Sequence, residues 1–352
     1  MRERATYLPP EARGETLEKE FLKKIESGNL FSRERSKWKH FTPEFVGTQS
    51  QTLNIGRVFR QISLAVKGYE ESRLSQAEGY VKIDTAYPIA ITHLGDLHLG
   101  SVYTNHREIL RKIDQIKKTP NMYVVFMANL IDNAIPSQFP SNMLVNVIPP
   151  DRQVAVMRRL VQDLDRMGKV IGAVTSPCHE GWSWKHTGQD INDLIFGYSG
   201  RKFPILENGG LLHIKVGNQP YIGALYHQVG PYESNFNETH ALRQLNRLTL
   251  NMKADWVAGA HKHFAAAQEV YEGTGKYRKL VVYIRTGTEK GTGKIHDQWA
   301  KERYGNTGEP TGQTVFLWPG HRKLAAECHF DTAVLAQEAY YVRAAVEKKR
   351  QT

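Results

Sequence analysis

Cysteine is scarce in this chain: Cys178 and Cys328 are the only two in 352 residues. A disulfide framework is excluded, and a reducing, intracellular and hence cytoplasmic setting is the expectation. Long apolar runs are missing too. No stretch approaches the roughly 18 residues that a membrane span needs, so no membrane association is expected. The first twenty residues, MRERATYLPPEARGETLEKE, contain no apolar segment of the secretory kind, and no such signal is expected. Internal repeats and low-complexity tracts are absent. Acidic residues are outnumbered, 36 against 47 Lys and Arg, which leaves a net charge of +11. That excess suits a polyanionic partner, nucleic acid first, because lysine and arginine displace counterions from phosphate backbones. A basic protein with solvated faces has the same composition. What is present is 40% apolar residues, ample for a large core, in a length typical of about two domains.

Residues 1–80 are polar and mixed in charge, and read as an N-terminal basic extension or small accessory region. Within them TLEKEFLKKIESG (16–28) reads as a short helix closed by Gly28. Phe31, Arg33, Arg35, Lys37, Trp38, Lys39, His40 and Phe41 interleave basic and aromatic residues. Such a cluster can grip a nucleic-acid backbone and stack on bases, or pack its aromatics on the core. The principal domain is expected over 81–320, followed by a strand and helix tail at 321–352. In the principal domain apolar strand candidates alternate with helical spacing: strands at 87–94, 122–127 and 169–174, and helices carrying Ile109, Leu110, Ile113 and Ile116, then Val154, Met157, Leu160, Val161, Leu164 and Met167. The alternation implies a largely parallel α/β arrangement. Further strands are expected at 211–216, 221–226, 256–259 and 279–285, with a helix near 238–250, a Gly-rich loop over 287–313 and a terminal helix at 332–349.

Each strand end carries chemistry. Gly95-Asp96-Leu97-His98 follows the first strand, Ala128-Asn129-Leu130-Ile131-Asp132-Asn133 the second, and Ser176-Pro177-Cys178-His179-Glu180 the third; His227 ends the strand YIGALY, and His261 and His263 follow the strand beginning at Trp256. A carboxylate and an imidazole two residues apart can reach one divalent ion. Taken singly, a histidine at a strand end is usually structural. Ligand sites in open α/β sheets gather at strand carboxyl ends, so the order alone points to one shared cleft.

The ordered set resembles the calcineurin-like metallophosphoesterase superfamily, whose run is D-x-H, G-D-x-x-D, G-N-H-E/D, H and G-H-x-H, over about residues 87–290. The resemblance implies a two-sheet αββα sandwich flanked by helices, with divalent metal at the strand carboxyl ends. It implies one ion held by Asp96, His98 and His263 and a second by His227 and His261, with Cys178 where the family has Asn and Asn129 where it has the bridging Asp. His179 matches the catalytic histidine at the leaving group, and Asp132 the carboxylate that orients it. The activity implied is hydrolysis of a phosphate ester by hydroxide generated on the metals.

Two departures bear on that activity. A carboxamide at 129 lacks the charge of a bridging carboxylate, while Cys178, if ionised, returns it; thiolate favours zinc or iron over magnesium, and one or two ions are expected, Mn, Fe or Zn in preference to Mg. The arginines that phosphoprotein phosphatases carry beside these loops are absent, Asn133 and Ala134 following Asp132 and Gly181-Trp182 following Glu180. A terminal phosphate dianion then lacks its clamp. The reading favoured is a phosphodiesterase or nuclease similar to the DNA repair exonuclease branch and its phage-encoded relatives. Trp182 and Trp184 can stack on a base or pack in the core, and Lys290 and Lys294 in the Gly-rich loop can contact substrate. The alternative is a catalytically weakened member kept as a nucleic-acid or protein binding module, for instance in a viral assembly.

Overall fold

The computed structural model describes residues 55–72, 75–135, 145–230, 237–292, 309–320, 324–327 and 332–351. The helix expected at 16–28, the basic-aromatic cluster at 31–41, Lys294 and Cys328 lie outside them. The chain divides into two units, 1–73 and 74–352. In the first, one helix is described, α1 (Ile55–Ser72).

The second unit is one continuous hydrogen-bonded ladder folded into two layers. Its strands are β1 (Ser75–Ile83), β2 (Ile89–Leu94), β3 (Met122–Met127), β4 (Val170–Val174), β5 (Ile205–Val216), β6 (Gln219–Tyr226), β7 (Trp256–Gly259), β8 (Ala265–Glu272), β9 (Lys279–Thr286), β10 (Thr314–Leu317) and β11 (Leu324–Glu327). Their order is β11-β10-β2-β3-β4-β5-β6-β7-β9-β8, with β1 paired to β5. β1 crosses residue 80, where the sequence places the start of the principal domain. β2, β3 and β4 are parallel neighbours, and β6, β7 and β9 are parallel neighbours.

β5 joins the layers. Ile205 and Leu206 pair with β4, whereas Gly210–Val216 pair with β6. Between them Asn208 and Gly209 take positive φ, 57° and 126°. A Cβ at Gly209 would lie 2.2 Å from the Tyr226 ring, so glycine is what lets the strand turn there.

Three apolar clusters fill the spaces this creates. One lies between β2–β4 and helices α2 (His106–Lys118), α3 (Pro150–Arg166) and α5 (Ile191–Phe196). The second lies between the two layers. The third lies under α6 (His240–Gln244), on the outer face of β6, β7 and β9. The result is the helix–sheet–sheet–helix order expected from the sequence. Trp256 is wholly buried between the layers and donates its indole N–H to His93 on β2 at 3.2 Å; truncating it should cost about 3–5 kcal/mol.

α2 starts where the Asn105 side chain accepts from the Glu108 N–H, an N-cap of the usual kind. It buries Ile109, Ile113 and Ile116. Leu110, expected on the same face, is 57% exposed; one residue on from Ile109 it is turned about 100° around the axis. Met167 at the end of α3 is likewise exposed. No helix among the described residues is long and apolar enough to cross a membrane.

Candidate metal centre

The loops after β2 and β3 are zipped together by backbone bonds. Asp96 donates its N–H to Ala128 O (3.1 Å), His98 to Asn129 O (3.0 Å) and Leu99 to Leu130 O (3.1 Å). The turns are tight enough that Asp96, His98, Ala128, Asn129, His261 and His263 all take positive φ, between 46° and 75°, a left-handed conformation uncommon outside glycine. Such strain concentrates at functional sites. Gly95 permits the close approach, since a Cβ there would sit 2.9 Å from Met127 Cβ and 3.2 Å from Ala260 Cβ. From the loop after β9, the Glu289 N–H and the Thr288 hydroxyl donate to Asp96 O.

The structure brings Asp96, His98, Asp132, Cys178, His179, His227, His261 and His263 into one cleft as three groups. Asp96, His98 and His263 form the first, Cys178, His227 and His261 the second, and His98, Asp132 and His179 the third; in each, the potential ligand atoms all lie within 4.8 Å of one another. In the first group the Nε2 atoms of His98 and His263 are 3.2 Å apart, and Asp96 Oδ1 lies 3.8 Å and 3.7 Å from them. A tetrahedral ion with N and O ligands sets them about 3.3 Å apart, so the group fits one. In the second, Cys178 Sγ is 3.8 Å from His261 Nδ1, against about 3.6 Å for sulfur and nitrogen on one tetrahedral ion.

A buried atom supports the same fit. His227 donates Nδ1–H to Met127 O at 2.8 Å, which fixes the tautomer and leaves the Nε2 lone pair facing the cleft. That Nε2 is buried and has no hydrogen-bond partner. An imidazole held by a carbonyl on one side and bare on the other is the usual posture of a metal ligand.

Burial dominates the electrostatics. It pushes His227 and His261 down to about 4 and holds His179 and His263 well below the ordinary histidine range. It raises Asp96 and Cys178, the Cys178 thiol being pushed up further by the Asp96 and Glu180 charges. Asp132 goes the other way: burial opposes ionisation, yet the neighbouring His98 ring and the Lys290 charge hold it well below the usual carboxylate range.

The structure places several of the expected residues against partners that the sequence did not show. Asp132 does not orient His179 through its carboxylate, which is 3.9 Å from His179 Nδ1; its main-chain carbonyl does so, at 2.5 Å. The carboxylate is drawn instead to His98 Nδ1 at 3.3 Å and to the Lys290 ammonium at 3.0 Å. Lys290, expected to meet substrate, is buried and its ammonium neutralises Asp132. Asn129, expected among the ligands, turns its amide N–H to Asp96 Oδ1 at 2.9 Å. Trp182 packs on the His179 ring, centroids 4.0 Å apart, while Trp184 is 51% exposed. Both stand on α4 (His179–Thr187).

One site residue escaped the sequence reading. Glu180 is buried, and its carboxylate accepts the Asn129 and Leu130 N–H groups at 3.1 Å and 2.6 Å, pinning the second loop. Burial raises it to about 7 against the opposing backbone hydrogen bonds. Its place in the family motif beside His179 was the available signal.

No family model matches the chain, and no curated protein does. Among solved structures it is similar to zinc-bound Vps29 from Entamoeba histolytica, at 14% identity over 68% of this chain and 98% of that one, TM-score 0.34. It is similar to a predicted phosphoesterase from Streptococcus pneumoniae, at 13% identity over 69% and 100%, TM-score 0.30. A third is the calcineurin-like phosphoesterase YfkN from Bacillus subtilis, at 11% identity over 73% and 98%, TM-score 0.35. These likenesses are distant.

Proposed function

We propose that this chain is a metal-dependent phosphoesterase, and within that class a phosphodiesterase or nuclease acting on nucleic acid, as its motifs resemble those of the DNA repair exonuclease branch and phage-encoded relatives. The observation that carries the reading is the pair of ligand-ready groups in one cleft, with the bare, buried Nε2 of His227 between layers that already hold it in place. Asp96, His98 and His263 would hold one divalent ion, and Cys178, His227 and His261 the other. Bound there, the ions would supply charge to a phosphate and lower the pKa of a water.

The chain's own residues do the rest. His179 keeps its proton on Nδ1, where only a carbonyl can accept it, and presents Nε2 to the leaving oxygen. Burial holds the ring neutral; a bound phosphate anion would favour its protonated form, as a nearby opposite charge does. Asn133, standing where phosphoprotein phosphatases place an arginine, is occupied within the fold, donating to His179 O at 2.6 Å and to Ser183 Oγ at 3.0 Å. A singly charged diester suits a cleft without that clamp. Trp184 offers an exposed ring one helical face away for a base, and the +11 net charge favours a polyanion.

Purified protein freed of metal should hydrolyse a generic phosphodiester with manganese, iron or zinc and far less with magnesium. Metal-loaded protein inactive on diesters and single-stranded DNA alike would favour the second reading, a nucleic-acid or protein binding module. That reading is supported by Asn129, whose amide donates to Asp96.

A further inference from the structure

Asp96 occupies an unexpected place between the two ligand groups. Its Oδ1 lies 3.8 Å from His98 Nε2 and 3.7 Å from His263 Nε2, both of the first group. The same oxygen lies 3.9 Å from His227 Nε2, of the second. It therefore faces the lone pairs of both sets at nearly one distance. Two N–H donors fix the carboxylate: the Asn129 amide on Oδ1 at 2.9 Å and the His261 main chain on Oδ2 at 2.6 Å. Asp96 is wholly buried. The other carboxylate of the three ligand groups, Asp132, sits behind His98 and is tied to Lys290, away from the second group, and the Glu180 carboxylate is taken up by the Asn129 and Leu130 N–H groups.

The amide at 129 gains a reason from this arrangement. A carboxylate at that position would face Asp96 across 2.9 Å, two like charges in a buried cleft, which is strongly unfavourable unless cations separate them. A carboxamide removes the repulsion and supplies a donor that holds the Asp96 oxygen in place.

We propose that Asp96 is the carboxylate shared by both cations, with Asn129 serving as a clamp on it and not as a ligand. The proposal rests on the two-ion reading above. It assigns the first ion an Asp96–His98–His263 set, the second an Asp96–Cys178–His227–His261 set, and makes the two sites interdependent.

The test counts metal. Wild-type protein, Asp96→Asn and His263→Ala are loaded with zinc, desalted and analysed for zinc per chain, with circular dichroism to verify folding. The expected counts are two, none and one. Loss of Asp96 should empty both sites because it belongs to both, whereas His263 belongs to the first alone. One zinc retained by folded Asp96→Asn overturns the proposal and leaves the two-ion reading intact. Fewer than two in the wild type overturns both. Should Asp96→Asn fail to fold, His263→Ala with one cobalt and the wild type with two decide the matter. The thiolate charge-transfer band from Cys178 should differ between them, because the shared oxygen changes its donation when the first group is filled. The same band in both overturns the proposal.

Discussion

The two ligand groups share a cleft and are built differently. Behind the first stands a charged brace: His98 Nδ1 meets Asp132, and Asp132 meets Lys290, all of them buried. Behind the second, the Met127 carbonyl holds His227, with no carboxylate behind that ring among the described residues, and the sulfur ligand is partly exposed. A carboxylate partner raises ligand basicity and orients the ring more strongly than a peptide oxygen does. The first group is therefore the more rigid, with harder donors, and the second the softer and more adaptable. Selectivity for metal should live in the second group and retention of metal in the first.

The largest expected effect tests a histidine that belongs to neither. His179→Asn should slow diester hydrolysis by roughly 10²–10⁴-fold, the usual scale of acid–base catalysis, with metal content unchanged. Metal lost along with activity would place His179 among the ligands, where His98 and Asp132 already approach it. Next comes the brace. Asp132→Ala removes the carboxylate that neutralises the buried Lys290 ammonium, a change expected to remove about 3–5 kcal/mol of stability and lower the melting temperature. It should also weaken metal at the first group by about 10–100-fold, and at the second by less. Equal weakening at both, by titration calorimetry, would erase the contrast between them.

A third prediction sets a histidine outside both groups as the reference. His93 sits between the layers, its ring bonded to Gln313 O and to the Trp256 N–H, and burial lowers it to about 4. A folded-state value below the unfolded one near 6.5 means the unfolded chain binds the extra proton. Stability is then full above pH 6.5 and is lost as pH falls from about 6.5 to 4, by on the order of 3 kcal/mol. Denaturant melts of wild type and His93→Gln across that window, each saturated with metal, should differ in slope by one proton. Parallel curves would assign the acid sensitivity to the cleft instead. The smallest effect belongs to the sulfur: Cys178→Ser should weaken zinc at the second group by about tenfold or more and manganese little, as read by competition with a chromophoric chelator.

How much of this was legible in the sequence follows from where each signal resides. Met122–Met127 and Trp256–Gly259 are buried on both faces, so their apolar runs marked strand and boundary together. The residues that follow them inherited their positions at strand ends. β8, AAAQEVYE, was missed because it pairs with one neighbour and exposes much of its length, which leaves little periodicity. α4 was missed because its turns carry histidine and tryptophan serving the cleft in place of an apolar stripe. The burial of Lys290 was not legible because a lysine among glycines looks solvent-facing, while its partner is 158 residues away in sequence. Ligand identities are local and readable; what stands behind each ligand is long-range and is not.

β5 has one more consequence. Ile205 and Leu206 of its ladder belong to the layer that supplies Asp96, His98 and Cys178, and Gly210–Val216 to the layer that supplies His227, His261 and His263. Each ligand group draws from both layers, so the cleft is a seam, and β5 is the stitch that closes it. Sliding one layer past the other would mean unpairing a strand that runs through both, so the spacing of the two groups is a property of the polypeptide before any ion arrives.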